Sequence, residues 1–282
     1  MAHAFDRVRR LGGRSTWRLT VGVAAALVTV AAVAEAQDGL MPLNRHAVAP
    51  APTGLSVLTY NVEGLPFPFA TGRSGAARRI AERLAALRAE GQQPHVVVLQ
   101  EAFGSAQQAI GEQAGYRYTA LGPDRDLRND EPMTDADRAF VGHARLIKGE
   151  TVGKWRGSGL AILSDYPIVR VRRVAFPAWA CAGYDCIANK GVLLAEIAVP
   201  GSDKPVTVIA THMNSKDASG VSKARWNGAF DRQVETIGKF LTANLDRDAP
   251  YVLAGDTNIG KSIPRKAAFE AMLAGLPRGG GS

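Results

Sequence analysis

Short aliphatic and β-branched runs, each ending at a polar residue, recur along this chain. Leu-Ser-Val-Leu-Thr-Tyr stops at Asn61, and Val-Val-Val-Leu-Gln stops at Glu101. Val-Thr-Val-Ile-Ala-Thr stops at His212, and Tyr-Val-Leu-Ala-Gly leads into Asp256 and Asn258. Brief apolar runs bounded by loop formers read as buried strands. The pattern predicts strands at 57–60, 96–99, 159–163, 205–211 and 251–254, with 168–174 and 191–199 as antiparallel partners.

A different period marks the helices. Ala77, Ile80, Ala81, Leu84 and Leu87 fall on one face of a predicted helix over 74–90, which Gly91 closes. Phe230, Val234, Ile237 and Leu241 repeat at spacings of three and four within a second long helix over 225–245. Shorter helices are predicted at 105–114 and 266–276. Residues 64–75 read as a Gly/Pro/Phe loop. Residues 122–137 hold two prolines and six acidic groups and read as a long surface loop. Strands and helices interleave without an internal repeat, which argues for an α/β protein with helix-covered sheets.

The ends read differently. Five arginines precede Leu19–Ala34, a 16-residue weakly polar-to-apolar stretch, and Ala34-Glu35-Ala36 follows as a small-x-small cleavage signal. This is the layout of a secretory signal peptide over 1–36, with cleavage after Ala36 and a secreted or periplasmic product. An uncleaved membrane anchor is the alternative, although the stretch is short against the roughly 20 residues of a full span. Residues 37–54, with three prolines, read as a linker, and 55–282 as the folded domain. Gly279 to Ser282 read as a frayed tail.

Composition narrows the picture. Hydrophobic residues make up 46% and charged residues 21%, as in a globular protein rather than a disordered one. Two cysteines cannot staple a chain of this length, so a core must hold it. The formal charge is +8, of which the first 36 residues carry +3. The remaining +5 favours phosphate-bearing substrates or an anionic membrane surface, or simply solvates the protein. No basic stripe marks nucleic-acid binding. Cys181 and Cys186 bracket four residues. Export would put them in an oxidising compartment, where they form a short-loop disulfide; in the cytosol they would be free thiols.

The polar residues at the strand ends suit phosphodiester chemistry. A hard cation with oxygen ligands neutralises the non-bridging oxygens, and Glu, Asp and Asn supply such ligands. A histidine can donate to the developing charge. Each residue also has a plainer reading: Asn61 and Glu101 as turn formers, His212 as a packed histidine, and Asp256 with Asn258 as an Asx turn. Lys190 would steer a phosphate or lie exposed, and His143 reads as a loop residue.

Five stretches, in order, carry a resemblance. Thr-Tyr-Asn-Val-Glu-Gly-Leu-Pro (59–66), Leu-Gln-Glu-Ala-Phe (99–103), Gly-Ser-Gly-Leu-Ala-Ile-Leu-Ser-Asp-Tyr-Pro-Ile (157–168), Ala-Thr-His-Met-Asn-Ser (210–215) and Gly-Asp-Thr-Asn (255–258) resemble the endonuclease/exonuclease/phosphatase superfamily. Asn189-Lys190-Gly191 and the Arg232-Gln233 pair are similar to its neutral sphingomyelinase-like branch. The resemblance implies a four-layer α-β-β-α sandwich and a metal-dependent phosphodiesterase. It implies Asn61 and Glu101 at a Mg²⁺ (or Mn²⁺) site, His212 on the scissile phosphate, and Asp256 with Asn258 positioning water. A phospholipid headgroup or nucleic acid would be the substrate, with peripheral contact to a membrane surface.

The family pattern continues with a late Asp-His pair that supplies the general base. The 24 residues after Asn258 contain neither residue type. The expectation is a second sheet left short, an open edge beside Tyr251–Ala254, and weak hydrolysis. His143 would be the one substitute base. The alternative is a non-catalytic module binding a phosphate or lipid headgroup.

Overall fold

The computed structural model describes residues 54–65 and 71–277. The expected leader, nearly all of the linker and the glycine tail lie outside them. The elements run β1 (Val57–Asn61), α1 (Arg73–Ala89), β2 (Val96–Gln100), the short turns α2 (Ser105–Gln108) and α3 (Ile110–Gln113), β3 (Tyr118–Leu121), α4 (Asp135–Gly142), β4 (Ala161–Ser164), β5 (Ile168–Ala175), β6 (Gly191–Ile197), β7 (Val206–His212), α5 (Lys223–Asn244), β8 (Tyr251–Asp256) and α6 (Ile263–Ala274). None of the described helices is long and apolar enough to cross a membrane.

Two four-stranded sheets form, ordered β1-β2-β4-β3 and β5-β6-β7-β8. Side-chain alternation along each strand builds three apolar layers. Val97, Leu99, Ala161 and Leu163 face Ala77, Ala81, Leu84 and Leu87 of α1. Their neighbours Val96, Val98 and Ile162 point the other way, against Leu193, Ala195, Val208 and Ala210 of the second sheet. The far face of that sheet, with Val192, Leu194 and Ile209, is covered by Phe230, Val234, Ile237 and Leu241 of α5 and Phe269 of α6. Helix, sheet, sheet and helix stack in that order, the four-layer sandwich that the resemblance implies.

Several predicted boundaries move, three of them with a clear cause, and β3 and α4 are new. The helix expected over 105–114 breaks into two turns at Ala109. Strand 159–163 starts later because Gly159, at φ 68, cannot lie in a strand. The final helix begins at Ile263 rather than 266, with a proline in its first turn. The acidic loop ends early in α4, where Thr134 and Asp137 form a reciprocal capping box. Arg232 of α5 holds the same Asp137 at 2.8 Å. β3 is the other addition. Among the described residues it is a partly exposed edge strand paired with β4 alone.

Among the described residues, β1 and β8 are also edge strands, and they lie side by side. A mostly apolar groove of about 540 Å³ runs along both, lined by Val57, Thr59, Tyr251, Leu253 and Phe269 among others.

Ile237 is fully buried between α5 and the second sheet, whereas Ile263 is exposed. Ile237→Ala is expected to lower unfolding free energy by about 2–5 kcal/mol, and Ile263→Ala to shift it by less than about 0.5 kcal/mol. Urea denaturation of the two variants checks the layer assignment.

Candidate functional site

Two parallel strand pairs deliver the site. β1 pairs parallel to β2 with Asn61 opposite Gln100, so Asn61 and Glu101 leave the first sheet at the same end. β7 pairs parallel to β8 with His212 opposite Asp256. Sheet packing then brings the two ends together. The Asn61 amide donates to Glu101 Oε1 at 2.9 Å and to Asp256 Oδ2 at 3.3 Å, one bond within its sheet and one across. His212 Nε2 stands 3.9 Å from both carboxylates.

Behind this cluster is a buried charge pair. Lys190 Nζ lies 2.5 Å from Asp185 Oδ1 and 3.3 Å from His212 Nε2, and it donates to the Met213 carbonyl at 3.0 Å. Asp185 also accepts from the Ser215 amide at 2.8 Å and from the Ser215 hydroxyl. Lys190 is therefore interior rather than exposed. Asp185 and Ser215 were not singled out from sequence. The one signal for Asp185 is an acid held between two cysteines. Those cysteines, Cys181 and Cys186, are bridged, which closes the loop that carries Asp185.

The backbone at the site is strained. Glu101 has φ 58 and Asn258 φ 52, left-handed conformations unfavourable for residues with a Cβ and concentrated at functional positions. Close approach around them explains two motif glycines. A Cβ on Gly64 would sit 2.2 Å from the Glu101 carbonyl oxygen, and one on Gly255 2.1 Å from that of Thr211.

Asp256 divides its two oxygens. Oδ1 accepts from the Asn258 amide at 2.9 Å, the Asx turn of the plainer reading, while Oδ2 faces Asn61 and His212. The Asn258 side chain turns to the Met213 carbonyl at 2.9 Å. Its amide nitrogen thus holds the loop. Arg265, buried against Trp226 and Phe230, donates to the Asn258 and Asn214 carbonyls at 2.8 Å each and fixes the same loop from below. Gln233 ties α5 in as well: its side chain accepts from the Asn214 amide at 2.7 Å. His143 sits exposed at the end of α4, with its backbone bonded to Phe140 and no described hydrogen bond to the cluster.

Burial sets the proton balance. It pushes the Glu101 carboxyl up, against the opposing hydrogen bond from Asn61 and the charge of Lys190. It pushes His212 down to about 3, with the Lys190 ammonium adding to the effect, so the imidazole is neutral at physiological pH. Burial also raises Asp185, but the Lys190 charge and the hydrogen bonds from Lys190 and Ser215 outweigh that and keep it ionised. Among the described residues, buried His212 Nδ1 has no hydrogen-bond partner.

The donor set suits a hard cation. Glu101 and Asp256 bring carboxylate oxygens from opposite sheets onto one amide, oxygen ligands of the kind a hard cation takes. Among the described residues, no group of three or more His, Cys, Asp or Glu forms a closed metal cage. Water and substrate oxygens would complete the shell of an ion held by Glu101, whose carboxylate Asn61 orients by its hydrogen bond while the Asn61 oxygen accepts from the Glu63 amide at 2.9 Å.

The model of the Endonuclease/Exonuclease/phosphatase family matches residues 58–271. The chain belongs to that family. Solved structures agree on the fold. A double mutant of beta toxin from Staphylococcus aureus, with bound magnesium ions, superposes with a TM-score of 0.59 at 22% identity, over 78% of this chain and 70% of that one. Sphingomyelinase C from Streptomyces griseocarneus gives a TM-score of 0.57 at 28% identity, over 77% and 69%. SmcL gives 0.56 at 22%, over 79% and 69%. A comparison with curated proteins gave no match. Within this endonuclease/exonuclease/phosphatase chain, the polar ends of the predicted strands are the residues that converge, apart from Asn258, whose side-chain amide ties its loop to the Met213 carbonyl after β7.

Lys190→Met is expected to destabilise the fold by about 3–5 kcal/mol, because it leaves the Asp185 carboxylate buried and unpaired. It also removes one of the two influences that lower His212, so the ring should titrate at higher pH by NMR in chelator-treated protein. The sign for stability follows from the same depression. Below 6.5 the unfolded chain takes a proton that folded His212 refuses. Its stabilising contribution is complete above pH 6.5 and is lost progressively as pH falls toward 3. Denaturation midpoints of wild type should therefore fall more steeply over that range than those of His212→Gln.

Proposed function

We propose that this protein is a metal-dependent phosphodiesterase of sphingomyelinase-like type. The observation that carries the reading is the meeting of Asn61, Glu101, His212 and Asp256 within hydrogen-bonding or near-contact distance, from four strands of two sheets. The likeness to Streptomyces griseocarneus sphingomyelinase C, at 28% identity, favours a phospholipid headgroup over nucleic acid.

Glu101 would hold a Mg²⁺ or Mn²⁺ as the direct carboxylate ligand, with Asn61 donating to that carboxylate and so fixing it at the ion site. When bound, such an ion neutralises charge on the non-bridging phosphate oxygens. In the tautomer with its proton on Nε2, and with the Lys190 protons directed to Asp185 and the Met213 carbonyl, neutral His212 donates a hydrogen bond to a phosphate oxygen as negative charge grows there. Lys190 sets a fixed positive charge behind it, and Asp185 keeps that ammonium in place. Asp256 Oδ2 orients an attacking water, and Asn258 keeps Asp256 facing the cleft. Because His212 Nδ1 has no partner to orient the ring for proton shuttling, His212 serves as a phosphate contact rather than the general base. That same feature favours a second reading, in which the cleft holds a phosphate or lipid headgroup with little turnover.

Assays with Mg²⁺ on sphingomyelin, a phosphoinositide and DNA separate these readings. Glu101→Gln is expected to weaken cation binding by more than about tenfold, and His212→Gln to lower kcat by about 10²-fold or more. Equal Mg²⁺ affinity in Glu101→Gln would remove that residue from the site. Phosphate binding without turnover on any of the three substrates would establish the second reading.

We also propose export, supported by the Cys181–Cys186 bridge, which is at home in an oxidising compartment. The intact mass of exported protein is expected to lack residues 1–36 and two hydrogens. Full-length mass in the membrane fraction would indicate an anchor instead.

A further inference from the structure

The chain carries an apolar surface that the chemistry above does not use. Leu146 is 64% exposed, Ile147 81%, Trp155 58% and Tyr184 44%. Scattered exposed hydrophobics are ordinary, but these four are joined. A Cβ on Gly149 would lie 3.5 Å from Tyr184 Cα and 3.2 Å from Ile187 Cγ2, so the 3₁₀ turn Leu146–Lys148 sits on the turn Gly183–Ile187. Lys148 Nζ lies 5.5 Å from the Tyr184 ring centroid. The Trp155 amide donates to the Ile187 carbonyl at 2.8 Å, which attaches the other strand of the loop to the same turn.

The surface is held firmly. Buried Glu150 accepts from the Arg145 amide, from the Gly183 amide at 3.1 Å and from Arg225 Nε at 2.9 Å. This leaves Leu146 and Ile147 projecting from a fixed base, not from a loose tip.

We infer that this face seats the protein on a phospholipid bilayer. Its charge selects that occupant. Residues 145–156 contain exposed Arg145 and Arg156 and half-buried Lys148 against the single acid Glu150, while Lys154 turns inward and donates to the Ala188 carbonyl at 3.3 Å. Glu150 is turned inward and neutralised by Arg225. What faces outward is aliphatic and aromatic side chains ringed by cations, the composition of the headgroup–acyl boundary, where tryptophan and tyrosine settle and basic residues meet lipid phosphates. A nucleic acid would use the cations but gain nothing from Ile147 and Leu146.

The face is also continuous with the candidate site. Tyr184 points outward from the same turn whose next residue, Asp185, points inward to hold Lys190. Bilayer contact therefore falls one residue from the anchor of the buried ammonium. The inference rests on the phosphodiesterase reading only in taking the substrate to be a lipid headgroup.

The test is co-sedimentation of the full chain with vesicles of phosphatidylcholine and sphingomyelin, with and without phosphatidylserine. Wild type is compared with Ile147→Asp and with the Leu146→Ser/Trp155→Ala pair. Hydrolysis of soluble bis-p-nitrophenyl phosphate and thermal melting are measured in parallel. Each variant is expected to lose vesicle affinity by about tenfold or more, the scale of removing one inserted apolar side chain. Melting and soluble-substrate hydrolysis should stay at wild-type levels. Wild type that leaves every vesicle in solution, or variants that bind as wild type does, would overturn the inference. A wild-type dimer made monomeric by Ile147→Asp, without vesicle binding, would assign the face to a protein contact and overturn it too. Intact vesicle binding with no hydrolysis of any phosphodiester would defeat the enzymatic reading alone.

Discussion

Parallel pairing of β1 with β2 and of β7 with β8 is the constraint on which the site depends. Parallel strands finish at the same edge of a sheet, so each pair presents two chain ends together. The connection between them must cross over, and here α1 and α5 supply the crossovers while covering the outer faces. An antiparallel pair would have sent Glu101 or Asp256 to the far edge. A slip of one residue would have turned His212 to the opposite face of its sheet. The core and the site are thus fixed by one register.

The strands and their polar ends were legible because their determinants are local, whereas the parallel pairing was not. Val96 to Leu99 are apolar at every position, which marks a strand buried on both sides, and the polar residue that follows must emerge at the rim. α1 and α5 announced themselves through period, and the residues named for α5 are the ones that pack. Less legible were elements defined by partners. β3 exposes three of its four residues, so no apolar run reveals it. α4 lies in an acidic run that looks like loop, although Thr134 followed by Asp137 is a capping signal that a closer reading would find. The depth of Lys190 could not be read from its neighbours. It follows from the disulfide-closed turn directing Asp185 inward onto Lys190, just ahead of β6.

The buried pair also clarifies the division of labour in the cleft. Lys190 and Asp185 nearly cancel each other in charge, yet burial of His212, with the Lys190 ammonium 3.3 Å away adding to it, keeps the imidazole neutral. Glu101 and Asp256, from opposite sheets, share one amide proton donor. The half of the site rich in oxygen is therefore electron-rich and undersupplied with protons, and the half containing nitrogen is held in a hydrogen-bond-donating state. A phosphate group with its counter-ion complements both halves at once.

The left-handed backbone at Glu101 has a consequence for how such a site persists. Glycine at that position would relax the φ of 58 and remove a carboxylate that burial disfavours, so the fold itself would gain from losing the residue. A chain screened for thermal endurance alone would drift away from Glu101 while keeping its sandwich intact. Retention of the glutamate against that gradient separates a working cleft from an inert scaffold of the same shape.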